Sequence, residues 1–99
     1  MDIKLNEKEL TVVLDSEIDA SNANAVREEL MEYLTSEDIS LTLDAKNLTY
    51  ISSAGLKIMV TAQKKLKNKI SVVNISKHVM EIFEIAGFQY LMNLQGVGE

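Results

Sequence analysis

Cysteine is absent from the chain, which removes disulfides, thiolate nucleophiles and cysteine-held metals together and agrees with a reducing compartment. Proline is absent as well and glycine occurs only four times. No linker or low-complexity stretch therefore divides the sequence, and a single domain over residues 1–99 is expected. No apolar run approaches the roughly 18 residues needed to cross a bilayer. The start, Met1-Asp2-Ile3-Lys4-Leu5-Asn6, lacks a basic segment ahead of an apolar core, so neither membrane insertion nor a secretory signal is expected and the location should be cytoplasmic. Basic residues are the minority, ten against fifteen acidic, for a net charge of -5, a field that repels phosphate backbones and disfavours direct nucleic-acid binding. No glycine-rich phosphate loop of the dinucleotide or Walker type is present, and no cofactor is expected.

What is present is an alternation of short strands and amphipathic helices. Asp2 to Leu5 and Leu10 to Leu14 read as a hairpin around the polar Asn6-Glu7-Lys8-Glu9. The first is charged, as suits an edge; the second is apolar and β-branched, which predicts an inner strand covered on both faces. Asp15 to Asn22 is a polar connection in which Asp19 or Ser21 should cap the next helix. Its three carboxylates lack the glycine-punctuated spacing of a calcium loop, so no metal is expected. A helix follows with Ala23, Val26, Leu30, Tyr33 and Leu34 on one face. Ile39, Leu41 and Leu43 then alternate with polar residues as a strand.

A second helix should run from Ser53 to about Lys67, with Gly55, Ile58, Met59, Ala62 and Leu66 on one stripe, Leu56 and Val60 widening it, and Lys57, Thr61 and Lys64 facing away. Ile70 to Ile75 reads as a strand. Ser76 should cap a third helix carrying Val79, Ile82, Phe83 and Ala86, which Gly87 stops. Tyr90 to Leu94 should form a last strand before a flexible tail, Gly96 to Glu99. The order β-β-α-β-α-β-α-β demands crossover helices against a mainly parallel mixed sheet with an antiparallel hairpin edge: an α/β layered domain.

The chain is organised around Ile51-Ser52-Ser53-Ala54-Gly55-Leu56, where a strand connection turns into the second helix. Either serine can cap the helix by accepting one of its free N–H groups. Either can instead be a phosphorylation site, since a phosphate would sit at the positive end of the helix dipole. Position alone leaves both readings open. A hydrolase is disfavoured: no Gly-x-Ser-x-Gly elbow is present, Ser53 stands four positions from Lys57 and not the three of a Ser-x-x-Lys site, and the sole histidine, His78, falls in the last helix.

Leu48-Thr49-Tyr50-Ile51-Ser52-Ser53-Ala54-Gly55-Leu56, followed by Ile58-Met59-Val60, resembles the signature of the STAS family, specifically its bacterial anti-sigma factor antagonists. Glu17-Ile18-Asp19-Ala20-Ser21-Asn22-Ala23 resembles the family's entry into its first helix, and Ile82-Phe83-Glu84-Ile85-Ala86-Gly87-Phe88 the end of its third. The resemblance covers nearly the whole chain, in order, and implies a STAS-like fold and a non-enzymatic role. Proteins of this family bind an anti-sigma factor that is itself a serine kinase and so free a sigma factor for transcription. Phosphorylation by that kinase ends the binding and a serine phosphatase restores it, a partner switch. In the family motif, Asp-Ser-(Ser/Thr/Ala)-Gly-Leu, the phosphorylated serine follows the aspartate and precedes the glycine by two, which matches Ser53. Ser52 stands in the aspartate's place and is a second acceptor candidate. The implied partner-binding residues are Asp19, Ser21, Ser52, Ser53, Ala54, Gly55 and Leu56. Many relatives continue into an additional amphipathic helix that has no counterpart before Glu99. An alternative within the same fold is an unphosphorylated adaptor subunit of a membrane-transport or sensory complex.

Overall fold

Two charged residues, Glu7 and Lys8, make the first reversal, and Glu7 takes a left-handed φ of 58° to do so. The computed structural model of the chain describes residues 1–98. In it, β1 (Asp2–Asn6) pairs antiparallel with β2 (Glu9–Val13), Asn6 opposite Glu9. The chain continues through β3 (Glu17–Ile18), α1 (Ala23–Tyr33), β4 (Ser40–Asp44), β5 (Tyr50–Ile51), α2 (Ser53–Lys64), β6 (Ser71–Ile75), α3 (Lys77–Ile85), a short 3-10 turn at Phe88–Tyr90 and β7 (Asn93–Gly96). The main sheet has the order β1-β2-β4-β6-β7, parallel beyond the hairpin, and β3 and β5 form a separate parallel pair. The α/β fold with a mainly parallel mixed sheet and a hairpin edge is as expected.

From β2 onward each strand is added on the same side of the one before it. Right-handed crossovers then put every helix on one face of the sheet. The register agrees: Leu10 lies opposite Leu41, and Val12, Leu43 and Val72 share a row, all 2% exposed or less. The other face carries the row Lys4, Thr11, Thr42, Ser71 and Asn93, each exposed or half-buried. This corrects one expectation. Strand β2 is internal to the sheet but covered on one face only, because Glu9 and Thr11 point to water.

The helices bury the faces their periodicity predicts: Ala23, Val26 and Leu30 in α1; Gly55, Ile58, Met59 and Ala62 in α2; Val79 and Phe83 in α3. Ala86, expected on the α3 stripe, is exposed at the C-cap. Helix α2 closes at Lys64, earlier than Lys67, as the Lys67 N–H turns to the Glu37 carbonyl. Ser76 caps α3 through a hydrogen bond from the Val79 N–H, and Gly87 ends that segment at φ 77°. The last strand begins at Asn93, later than Tyr90. Burial of Phe88, stacked on Phe83 at 5.4 Å, and of Met92 first coils the chain. Gly96 lies in β7 and the Val97 N–H bonds the Ile75 carbonyl, so the expected loose tail is tied down through Val97; Glu99 lies outside the described residues.

Neither Asp19 nor Ser21 caps α1. Asn22 holds the N-cap position without a side-chain bond into the helix, and the Asp19 backbone carbonyl accepts the Ala23 N–H at 2.9 Å. Among the described residues no polar or charged side chain is buried, so the core carries no unpaired polar atom.

Candidate functional site

The polar connection before α1 and the stretch before α2 are not independent loops. Ser16 offers its carbonyl to the Thr49 N–H at 2.8 Å and to the Thr49 hydroxyl at 2.9 Å. Ile18 then pairs with Ile51, both 2% exposed, with their side chains packed inward. One residue later the Ser52 N–H bonds the Ile18 carbonyl at 2.8 Å. The peptide that joins Ile18 to Asp19 is thus fastened to Ser52, and the two stretches that carry the candidate residues leave a common ribbon side by side.

Helix α2 starts directly on that ribbon. A Cβ at position 55 would lie 2.6 Å from Ile51 Cγ1 and 2.8 Å from Ile18 Cγ2, so only glycine permits this approach. Gly55 is buried, and its part in the site is close packing beneath the surface. Ala54 and Leu56 are half-buried beside it.

The two serines part company here. Ser52 is the extended N-cap, φ -87° and ψ 174°, half-buried, with its hydroxyl oxygen accepting the Gly55 N–H at 3.4 Å. Ser53 is the first helical residue, exposed, and its hydroxyl has no hydrogen-bond partner among the described residues. A cap and a free hydroxyl are therefore both present, on adjacent residues.

Across the ribbon, Asp19 gathers its own loop. One carboxylate oxygen accepts the Ser21 N–H at 2.8 Å and the Ser21 hydroxyl at 2.5 Å. The Ser21 hydroxyl first, and then its N–H, hold the Asp19 carboxyl below the ordinary carboxylate range. Asn22 locks the turn from the other side: its Oδ1 accepts the Asp19 N–H at 2.9 Å and its Nδ2 donates to the Glu17 carbonyl at 2.8 Å. Asn22 carries no local signal of this role in the sequence, because its work is done through backbone partners three and five residues away.

Two further residues, neither of them among the implied partner-binding residues, stand beside the serines. Tyr50 is 46% exposed on the strand leading to the serines, and strand alternation against the inward Ile51 is the signal that finds it. Lys57 is exposed one helical turn beyond Ser53, a spacing of four that places both on one side of α2.

Open α/β sheets hold ligands where the strand order reverses, and here the order β2-β4-β6-β7 never reverses. Two shallow concavities, of about 410 Å³ beside Ile75, Met80 and Val97 and about 420 Å³ beside Asp2, Leu14 and Asn47, are not lined by either serine. His78 is exposed on α3 and makes no hydrogen bond to Ser52 or Ser53. Among the described residues no three acidic or histidine side chains converge as metal ligands, and no helix is long and apolar enough to cross a membrane.

The family model of the STAS domain matches residues 1–96. The chain is 28% identical over 102 residues to the anti-sigma-B factor antagonist of Bacillus subtilis (strain 168), covering 100% of this chain and 93% of that protein. It is 31% identical over 91 residues to the anti-sigma-B factor antagonist of Listeria monocytogenes serovar 1/2a (strain ATCC BAA-679 / EGD-e), covering 89% and 80% respectively. The solved structure of the anti-sigma factor antagonist SpoIIAA in its unphosphorylated form superposes with a TM-score of 0.79 at 14% identity, over 94% of this chain and 85% of that one. A match along nearly the full length, on a fold of the same order, places the chain in the STAS domain family.

Proposed function

We propose that this chain is an anti-sigma factor antagonist working by partner switching. As a single domain in the cytoplasm, it docks on an anti-sigma factor serine kinase through the turn at Asp19 and Ser21 and the start of α2, including Ser52, Ser53, Ala54 and Leu56, with Gly55 packed beneath. Docking withholds the kinase from a sigma factor and so regulates transcription. The chain serves as ligand and substrate, not as a catalyst, and Ser53 is the acceptor. The observation that carries this reading is the division of labour between the serines: Ser52 is half-buried and occupied as the cap, while Ser53 stands exposed with a free hydroxyl on a rigid helix start. The names of the two curated relatives point the same way.

Phosphate at Ser53 brings roughly -1.5 to -2 charges and three strong acceptor oxygens. At a docking surface it adds like-charge repulsion and desolvation cost, which weakens binding until a serine phosphatase removes it.

The test is an in vitro assay with ATP and the candidate anti-sigma kinases of the same organism, read by intact mass and site mapping, with binding measured alongside. One phosphate is expected, lost in Ser53→Ala and kept in Ser52→Ala. Ser53→Asp should weaken kinase binding at least tenfold, by about 1.4 kcal/mol, while Ser53→Ala keeps it. Equal affinity of all forms, or no phosphate with any kinase, would remove the reading in favour of an unphosphorylated adaptor.

A further inference from the structure

Helix α2 turns Ile58, Met59 and Ala62 toward the sheet, all buried. The line directly opposite runs through Ser53, Lys57, Val60 and Lys64, since residues three, four and seven apart return to one side of a helix. Along it Ser53, Lys57 and Lys64 are exposed and Val60 is half-buried. Among the described residues neither lysine has an acidic neighbour at ion-pair distance. Among the described residues the lysines in ion pairs are Lys8 and Lys67, which share Asp38 at 3.4 and 3.6 Å. In a chain with fifteen acidic residues, Lys57 has no ion-pair partner among those described and stands one turn from the Ser53 hydroxyl.

We propose that Lys57 is the cation that a phosphate on Ser53 engages, so that phosphorylation withdraws a positive docking contact from α2 in the same event that adds negative charge to it. The inference rests on Ser53 being the phosphorylated residue. In the reaction, a bond forms between Ser53 Oγ and the γ-phosphorus of a nucleoside triphosphate while the bond from that phosphorus to the bridging oxygen breaks. The nucleoside diphosphate leaves with the electron pair, and the hydroxyl proton passes to a base of the kinase. The anionic product then lies four residues N-terminal to Lys57, the order in which an acid and a lysine pair best along a helix. Because Ser53 already has helical geometry, its separation from Lys57 is set by the backbone and requires no rearrangement. Before modification the same ammonium faces outward, and the group it fits on a partner is a carboxylate. The partner surface opposite this turn of α2 is therefore acidic.

Phosphoserine can be placed at position 53 by codon-directed incorporation, so the pairing is measured without any kinase. The phosphorus NMR shift is followed between about pH 4 and pH 8, across the second ionisation near pH 6, in the phosphorylated parent and in Lys57→Gln and Lys64→Gln versions of it. Lys57→Gln should raise the apparent second pKa by about 0.3 unit or more, because the dianion loses its partner. Lys64→Gln, two turns further on, should move it by less than a third of that. The difference should shrink in about 0.5 M NaCl, where exposed charges are screened. In the unphosphorylated protein, Lys57→Gln should weaken binding to the anti-sigma kinase about threefold or more, as for a charged contact at an interface rim. Identical titrations for the parent and Lys57→Gln, an equal rise with Lys64→Gln, or unchanged kinase affinity in Lys57→Gln would each overturn the proposal. A kinase that never modifies Ser53 would count instead against the proposed function, and the phosphorus titration would still decide the pairing.

Discussion

At the start of α2 two adjacent hydroxyls meet different fates because the backbone changes conformation between them: Ser52 is extended and Ser53 helical. Across the ribbon, Asp19 shows how a single carboxylate organises a turn, and its chemistry gives a pH signature. Its carboxyl is held below the usual range by Ser21, so the ionised form is favoured in the folded protein. The stabilisation this provides is complete above the unfolded value of about 3.9 and is lost as pH falls through the lower folded value. Ser21→Ala removes the hydroxyl bond and should move the Asp19 titration upward toward the ordinary range, as followed by carboxyl NMR shifts; an unmoved midpoint would show that the backbone N–H alone sets it. At this scale the sequence was only partly legible. That a serine caps α2 could be read from residue type, but which serine does so depends on where the helix begins, and hydroxyl chemistry does not reveal a one-residue boundary. The cap of α1 was misread because Asp19 spends its side chain on Ser21.

Between elements, the joint that matters is α2 against the β3–β5 ribbon. Two substitutions probe its two halves. Ser52→Ala removes the cap and should cost about 1 kcal/mol. Gly55→Ala gains helix propensity but drives a methyl into Ile51 and Ile18, and overpacking should leave a net loss of about 1–2 kcal/mol. Urea denaturation of both variants checks this, and a Gly55→Ala protein as stable as its parent would mean that the ribbon yields freely. The three helices were legible because each repeats its apolar residues over at least two turns. Strands β3 and β5 were not, because two residues each carry no period. Their existence follows from long-range bonds between Ser16 and Thr49 and between Ile18 and Ser52, which no local window contains. The start of β7 was displaced for a similar reason: Phe88 and Met92 answer to the core and not to the local strand pattern.

Over the whole molecule, all apolar cover lies on one side of the sheet and the far side is a polar row from Lys4 to Asn93. The alternation of elements made the parallel layered architecture readable. The bare face was not, since Val13 and Val73 gave the strands a more apolar look than their mostly polar outer rows warrant. The strand order has a consequence for how the protein is made. Strands join the sheet in the sequence in which a ribosome releases them, so from β2 onward each finds its neighbour already synthesised and none must wait for a later strand to be inserted between. Folding can then keep pace with translation. Chains arrested once Leu66 has cleared the exit tunnel should already resist proteolysis across the β2–β4 pair, whereas resistance that arrives only after Gly96 emerges would mean that the sheet closes in one concerted act.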